Sequence, residues 1–278
     1  MAVFVQITDL HLRPPGILTL GRIDTDRFLV DAIDAINQRH SEIDAVIVTG
    51  DVTDLGEEDA YNRAAMLLAR FGAPVIAIPG NHDSTATLRA AFAAFPGFAD
   101  EPVPGKACHA HTVAGVTLIA LDTSVDQIAE NVHHGELGEA QLAWLDATLK
   151  TAGPTLIAMH HPPFESGIGF MDAIGLNDAR AFAKVLARHE NVLRIVCGHV
   201  HRTIVSEVSG VPVMAIPGVA HQVSMALDET VPMGLAMEPP AYGVHIVENG
   251  RAVSHIGYVE RYGTPVLFEN NEPVANDG

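Results

Sequence analysis

The chain has 278 residues, of which 16 are basic and 34 acidic, for a formal charge of −18. No lysine or arginine cluster relieves that balance, which argues against long nucleic acid as a substrate, because phosphate backbones are gripped by basic stripes. Cys108 and Cys197 stand apart and outside any C-x-x-C motif, so a disulfide framework is not expected and a reducing cytoplasm is.

In chain order, Val3 to Ile7 reads as a strand that delivers Asp9-Leu10-His11. The N-terminus enters this strand almost at once, with no signal-peptide pattern. Phe28, Leu29, Ala32, Ile33 and Ile36 then recur at helical spacing, capped by Asp24 or Thr25. Ala45 to Val48 is a second strand, followed by Gly50-Asp51-Val52-Thr53-Asp54. A helix over Glu57 to Arg70 follows, with Gly72 as its left-handed C′ residue. Val75 to Ile78 delivers Gly80-Asn81-His82-Asp83, and another helix comes after Asp83. His109 to Ala114 and Val116 to Leu121 read as paired strands about Gly115.

A fourth helix runs through Ala140, Leu142, Leu145 and Leu149. Leu156 to Met159 leads to His160-His161-Pro162-Pro163, and a fifth helix begins near Asn177-Asp178. Leu193 to Val196 leads to Gly198-His199-Val200-His201. Hairpins are predicted about Ser209-Gly210 and Asn249-Gly250. Strand–helix alternation finished by hairpins predicts an α/β fold of two packed sheets flanked by helices. No linker divides residues 1–278, so one domain is expected. Segment 222–242 reads first as a packed loop, with a lid or a contact between like chains, through Met225, Met233 and Met237, as alternatives. No apolar run approaches the roughly 20 residues that span a bilayer, so no membrane partner is expected.

Five polar clusters each follow an apolar strand. Ligands of open α/β sheets collect beyond the carboxyl ends of strands, so the five clusters predict one pocket. Carboxylate oxygens and imidazole nitrogens without a nearby thiolate suit Zn, Mn, Fe or Co. Spacing of i, i+2 in Asp9/His11 and His199/His201 lets each pair converge at a strand end. Gly50, Gly80 and Gly198 allow sharp turns and close approach. Asp54 and Asp83 either orient imidazoles or cap turns. His40, His109, His111, His133, His134, His189, His245 and His255 carry no motif and are expected on the surface or in strands.

Taken together, G-D, G-N-H-D, H-H-P-P and G-H-x-H resemble the calcineurin-like metallophosphoesterase superfamily. The chain is most similar to its bacterial branch of class III cyclic-nucleotide phosphodiesterases and glycerophosphodiesterases. Met171-Asp172 after the H-H-P-P cluster and Pro217-Gly218-Val219-Ala220-His221-Gln222 strengthen that likeness. The resemblance implies a four-layer sandwich of two mixed sheets between helices. It also implies two divalent or mixed-valence metal ions (Mn, Fe, Zn or Co). Asp9, His11 and His201 would hold one, Asn81, His160 and His199 the other, and Asp51 would bridge them.

The implied chemistry is hydrolysis of a small anionic phosphodiester, a cyclic nucleotide or a glycerophosphodiester, by a hydroxide bridging the metals. Asp51 and His82 are the expected catalytic residues, with His82 beside the metals as hydrogen-bond donor or general acid. His161 and His221 are expected to contact substrate. The segment after Asp51 lacks the arginine of phosphoprotein phosphatases and the tyrosine of purple acid phosphatases, which sets those branches aside. The alternatives are a broad phosphomonoesterase of the same fold and a non-catalytic metal-binding protein.

Overall fold

A computed structural model of the chain describes residues 1–125, 132–228, 230–261, 263, 267–269 and 272–274. One sheet has the order β13-β12-β1-β2-β3, made of Arg251–Tyr258, Ala241–Glu248, Ala2–Ile7, Ala45–Thr49 and Val75–Ile78. The other has the order β4-β5-β6-β7-β9-β8, made of His109–Val113, Val116–Ala120, Thr155–Ala158, Val192–Cys197, Val211–Ala215 and Ile204–Val208. In each, a parallel core carries antiparallel partners. Two short ribbons complete the strands: β10 (Gln222–Val223) with β11 (Leu235–Ala236), and β14 (Leu267–Glu269) with β15 (Glu272–Val274).

Burial follows the period of each element. Phe4, Ala45, Ile47, Ile76 and Ile78 of the first sheet meet Leu118, Ala120, Leu156 and Val196 of the second in one apolar layer. The opposite face of the first sheet, through Val5, Ile7, Val46 and Val48, packs on Leu29, Ile33 and Ile36 of α1 (Thr25–Arg39) and on Tyr61 and Leu68 of α2 (Glu58–Leu68). The outer face of the second sheet packs on Leu145 and Leu149 of α4 (Gly138–Leu149) and on Phe182 and Leu186 of α6 (Ala179–Leu186). The result is helix, sheet, sheet, helix, because each all-buried strand needs apolar cover on both faces.

Asp24 caps α1 by accepting from the Arg27 amide at 3.1 Å, and Ser84 caps α3 (Thr85–Ala91). The expected role of Gly72 is not met, since α2 stops at Leu68 and its C-cap Ala69 is right-handed. A four-residue helix α5 (Gly169–Asp172) stands between the H-H-P-P cluster and α6. The hairpin turns fall where the sequence places them, with Ser209, Gly210, Asn249 and Gly250 all at positive φ. Segment 222–242 contains the β10–β11 ribbon, an ordered element that lacks the hydrophobic period of a longer strand; Glu229 within it lies outside the described residues. Among the described residues no helix is long and apolar enough to cross a membrane.

Candidate metal centre

The strand-end clusters meet in the gap between the two sheets, where ladder-like bonds continue past the strands. The amides of Asp9 and His11 donate to the Gly50 and Asp51 carbonyls, at 3.1 and 2.9 Å, and the Gly198 amide donates to the His160 carbonyl at 3.1 Å. Across the sheets, His160 Nδ1 donates to the Thr49 carbonyl at 2.8 Å and the His199 amide donates to Asp9 Oδ1 at 3.1 Å. Glycine is required at two of these approaches. A Cβ on Gly80 would fall inside Asp51, and one on Gly50, which has φ of +93°, would fall inside the His160 ring.

Two donor sets share one carboxylate oxygen. Asp51 Oδ2 lies 3.5 Å from His11 Nε2 and 3.4 Å from His160 Nε2. On one side, His11 Nε2 and His201 Nε2 face each other at 3.2 Å, and Asp9 Oδ1 is 3.3 Å from His201 Nε2. One ligand atom each from Asp9, His11, Asp51 and His201 can be chosen so that all four lie within 4.8 Å of one another. On the other side, Asn81 Oδ1 is 3.1 Å from His160 Nε2 and 2.9 Å from His199 Nδ1. Asp9 Oδ2 and His199 Nε2 are buried without a hydrogen-bond partner. Lone pairs packed against lone pairs, beside buried unpartnered atoms, are the arrangement that cations relieve, so these residues fit divalent metals.

Backbone conformation aims these side chains. Asp9, His11, Asp51, His199 and His201 have φ of 53, 44, 48, 69 and 47°, the left-handed region that non-glycine residues seldom enter. Each such residue costs on the order of 1–3 kcal/mol and persists only where its surroundings over-determine it. The bonds above supply part of that constraint. Asp83 supplies more, accepting from the amides of Val52 and Gly80 at 2.9 Å, from the Thr53 amide at 3.0 Å and from the Tyr61 hydroxyl at 3.0 Å. It touches no imidazole, so it caps the Asp51 loop. Asp54 orients an imidazole, since its Oδ1 accepts from His11 Nδ1 at 3.3 Å.

Imidazole tautomers follow from these acceptors. His160 gives its Nδ1 proton to Thr49, His11 to Asp54, and His201 to the His221 carbonyl at 2.9 Å. Each therefore turns an Nε2 lone pair inward. Electrostatics agree with a centre that draws positive charge. Burial pushes the Asp9 and Asp51 carboxyls up, but His201 at Asp9 and His160 at Asp51 outweigh it and hold both below the ordinary range. Burial pushes His160 down and neighbouring Asp51 overcomes it, raising the ring to about 9. For His199 burial dominates, with His161 and His160 adding to it, and the ring stays neutral.

A cavity of about 400 Å³ opens onto this centre, lined by His82, His133 and His221 as well as the clustered residues. His82 donates Nδ1–H to the Asp54 carbonyl at 2.8 Å and packs edge-on against His11, with centroids 4.8 Å apart. His221 packs beside both His11 and His201, with ring centroids 5.2 and 5.1 Å away, its Nδ1 buried without a hydrogen-bond partner. His161, expected at the substrate, is not among the residues lining this cavity. Its ring is fully buried, with Nδ1 2.7 Å from the Thr123 hydroxyl and Nε2 donating to the His133 carbonyl at 2.9 Å. It neighbours His160 and His199 closely enough for metal binding by proximity alone, yet both nitrogens are engaged, so its role is to support the loop bearing His133.

His133 is a cavity residue the sequence concealed. Its Nδ1 is 3.0 Å from Asn81 Nδ2, which orients the amide so that Oδ1 faces His160 and His199. No motif surrounds it. Of the cavity wall, Met171 belongs to a pair the sequence singled out and Met233 and Leu235 lie in segment 222–242, whereas nothing marked Leu20.

A profile described as calcineurin-like phosphoesterase matches residues 2–203. A probable cyclic nucleotide phosphodiesterase of Rhodopseudomonas palustris is 37% identical over 255 residues, covering 91% of this chain and 90% of the relative. A probable glycerophosphodiester phosphodiesterase of Arcobacter nitrofigilis is 30% identical over 277 residues, covering 97% of this chain and 98% of the relative. Among solved structures, a dimetal phosphatase from Danio rerio superposes with a TM-score of 0.65 at 19% identity, covering 93% of this chain and 96% of that one. That last likeness concerns the fold.

Proposed function

The chain belongs to the calcineurin-like phosphoesterase family, and from that membership we propose that it hydrolyses small phosphodiesters with two divalent cations at the strand-end cluster. The observation that carries this reading is the single Asp51 oxygen set between the His11 and His160 nitrogens, 3.5 and 3.4 Å away. Asp9, His11 and His201 would hold one ion and Asn81, His160 and His199 the other, with Asp51 placed to serve both. Mn, Fe, Zn and Co all suit this donor set. When bound, such ions polarise the phosphoryl group and make water acidic enough to react near neutral pH.

The protein residues divide the remaining work. Asp51 receives the His82 amide on Oδ1 at 2.9 Å, which fixes the bridging carboxylate and carries His82 to the cavity. With Nδ1–H committed to Asp54, His82 keeps Nε2 toward the substrate. In its imidazolium form that nitrogen donates to a phosphoryl oxygen or to the departing alkoxide. His221 lines the same cavity and contacts the substrate from the His11 and His201 side. Because the floor draws on both sheets, the chain acts as one unit. Buried free Cys108 and Cys197 suit a reducing cytoplasm.

Metal-stripped protein reloaded with Mn, Zn, Co or Fe should cleave an aryl phosphodiester faster than its monoester. Silence with every metal, or a monoester clearly ahead, would overturn the proposal.

A further inference from the structure

The cavity changes character from floor to mouth. Its polar groups gather at the floor, and its outer wall consists of Leu20, Met171, Ile174, Val223, Met233 and Leu235. Among the described residues no lysine or arginine lines it. The Thr19 hydroxyl and the Asp54 carboxylate, which also line the cavity, are already engaged: Thr19 donates to the His11 carbonyl at 2.8 Å, and Asp54 accepts from His11 at 3.3 Å. Yet the wall is not buried, since Leu20, Met233 and Leu235 are 58, 61 and 40% exposed. Isolated apolar side chains on a surface need no explanation. Here three of them join buried Met171 and Val223 around one opening.

The wall is also built. β10 and β11 pair Val223 with Leu235, and Ser224 clamps the turn by donating to the Gly234 carbonyl, from its amide at 2.9 Å and from its hydroxyl at 2.8 Å. The volume of about 400 Å³ is that of a pocket for a whole small ligand, and a phosphoryl group occupies only its floor. Methionine thioethers are polarisable and adapt to flat rings, which suits a planar guest between Met171 and Met233.

We propose that this wall binds the ester group of the substrate that is not expelled, and that it selects for a flat, weakly polar group, aryl or nucleobase, over a polyol. A glycerol arm would lose its hydration against Leu20, Met233 and Leu235 and find no hydrogen-bond partner there. An aromatic arm loses nothing of that kind and covers exposed apolar surface. The inference rests on the diesterase reading and assigns its specificity to residues distant from the cluster.

Three diesters with the same para-nitrophenoxide leaving group and phenyl, methyl or glyceryl as the remaining arm isolate this effect, because the bond broken is the same in all. The metal-loaded protein should show a KM for the phenyl diester about tenfold below those of the other two. The double variant Met233→Asn, Leu235→Asn replaces exposed side chains and so retains the fold, which circular dichroism checks. In it the phenyl-to-methyl ratio of kcat/KM should collapse toward unity through KM. Inhibition by a non-reacting phenylphosphonate ester should weaken by a similar factor. Equal KM values for the three arms, a glyceryl arm ahead, or an unchanged ratio in the variant would overturn the inference while leaving the diesterase reading intact. No turnover of any of the three with any metal would overturn both.

Discussion

At the floor of the cavity, Asp9, His11, Asp51, His199 and His201 are buried in left-handed backbone conformations, each held by bonds from another loop. At its mouth, Leu20, Met233 and Leu235 stand in the open on a short loop and a two-residue ribbon. The floor is strained and over-determined; at the mouth Leu20 shares the left-handed conformation, with φ of 52°, but Met233 and Leu235 do not. On the proposed function, chemistry and selectivity are assigned to separable parts of one cavity, and substitutions should expose the difference.

The largest effect is expected at the shared oxygen. Asp51→Asn keeps the shape of the side chain but removes the charge facing His11 and His160, so turnover should fall at least about a thousandfold, equal to several kcal/mol of lost stabilisation. Metal content per chain, measured alongside, should drop as well; full metal with full activity would remove Asp51 from the centre. Next comes His82→Ala, for which kcat should fall about a hundredfold or more with metal content unchanged. Loss of one ion in that variant would make His82 a ligand. His133→Leu leaves the Asn81 amide without its anchor, and affinity for the ion assigned to Asn81 should weaken about tenfold in a metal titration. An unaltered titration would show that the contact between His133 and Asn81 has no part in holding metal.

The smallest effect concerns the scaffold. His245, buried between the sheets, has both nitrogens engaged, by Ser254 at 2.8 Å and by Gln6 at 3.1 Å. Burial, with Arg194 nearby, lowers its pKa from 6.5 to about 3. The unfolded chain therefore binds a proton that the folded chain refuses. The stability tied to neutral His245 is complete above pH 6.5 and is lost as pH falls toward 3. Denaturant midpoints should place the wild type on the order of 2 kcal/mol lower at pH 4 than at pH 7, and His245→Gln should reduce that difference. An equal acid loss in the variant would shift the cause to other groups, with His109, lowered to about 4 by burial, next in line.

Residues of the floor were readable because their identities are rare in combination and each follows an apolar strand. Val3 to Ile7 or Leu156 to Met159 could not have ended in Asp9 or His160 by a hydrophobic pattern alone. The roles of neighbouring residues were less readable. Asp83 and Asp54 look alike beside their motifs, and only the folded contacts separate the loop cap from the histidine partner. His161 sits inside a motif yet faces Thr123 and the His133 carbonyl, while His133 sits in none and faces the cavity.

What the amino-acid order determined by itself is local: strand periods, turn residues at Ser209-Gly210 and Asn249-Gly250, and the set of oxygen and nitrogen donors at five strand ends. Those follow from side-chain chemistry and short-range sterics, which act within a few residues. Only the tertiary structure decided which donors share the Asp51 oxygen, which backbone positions turn left-handed, and that an apolar ribbon more than twenty residues past His199 closes over the same cavity. These depend on two sheets packing face to face, and contacts between distant segments leave no local period in the chain.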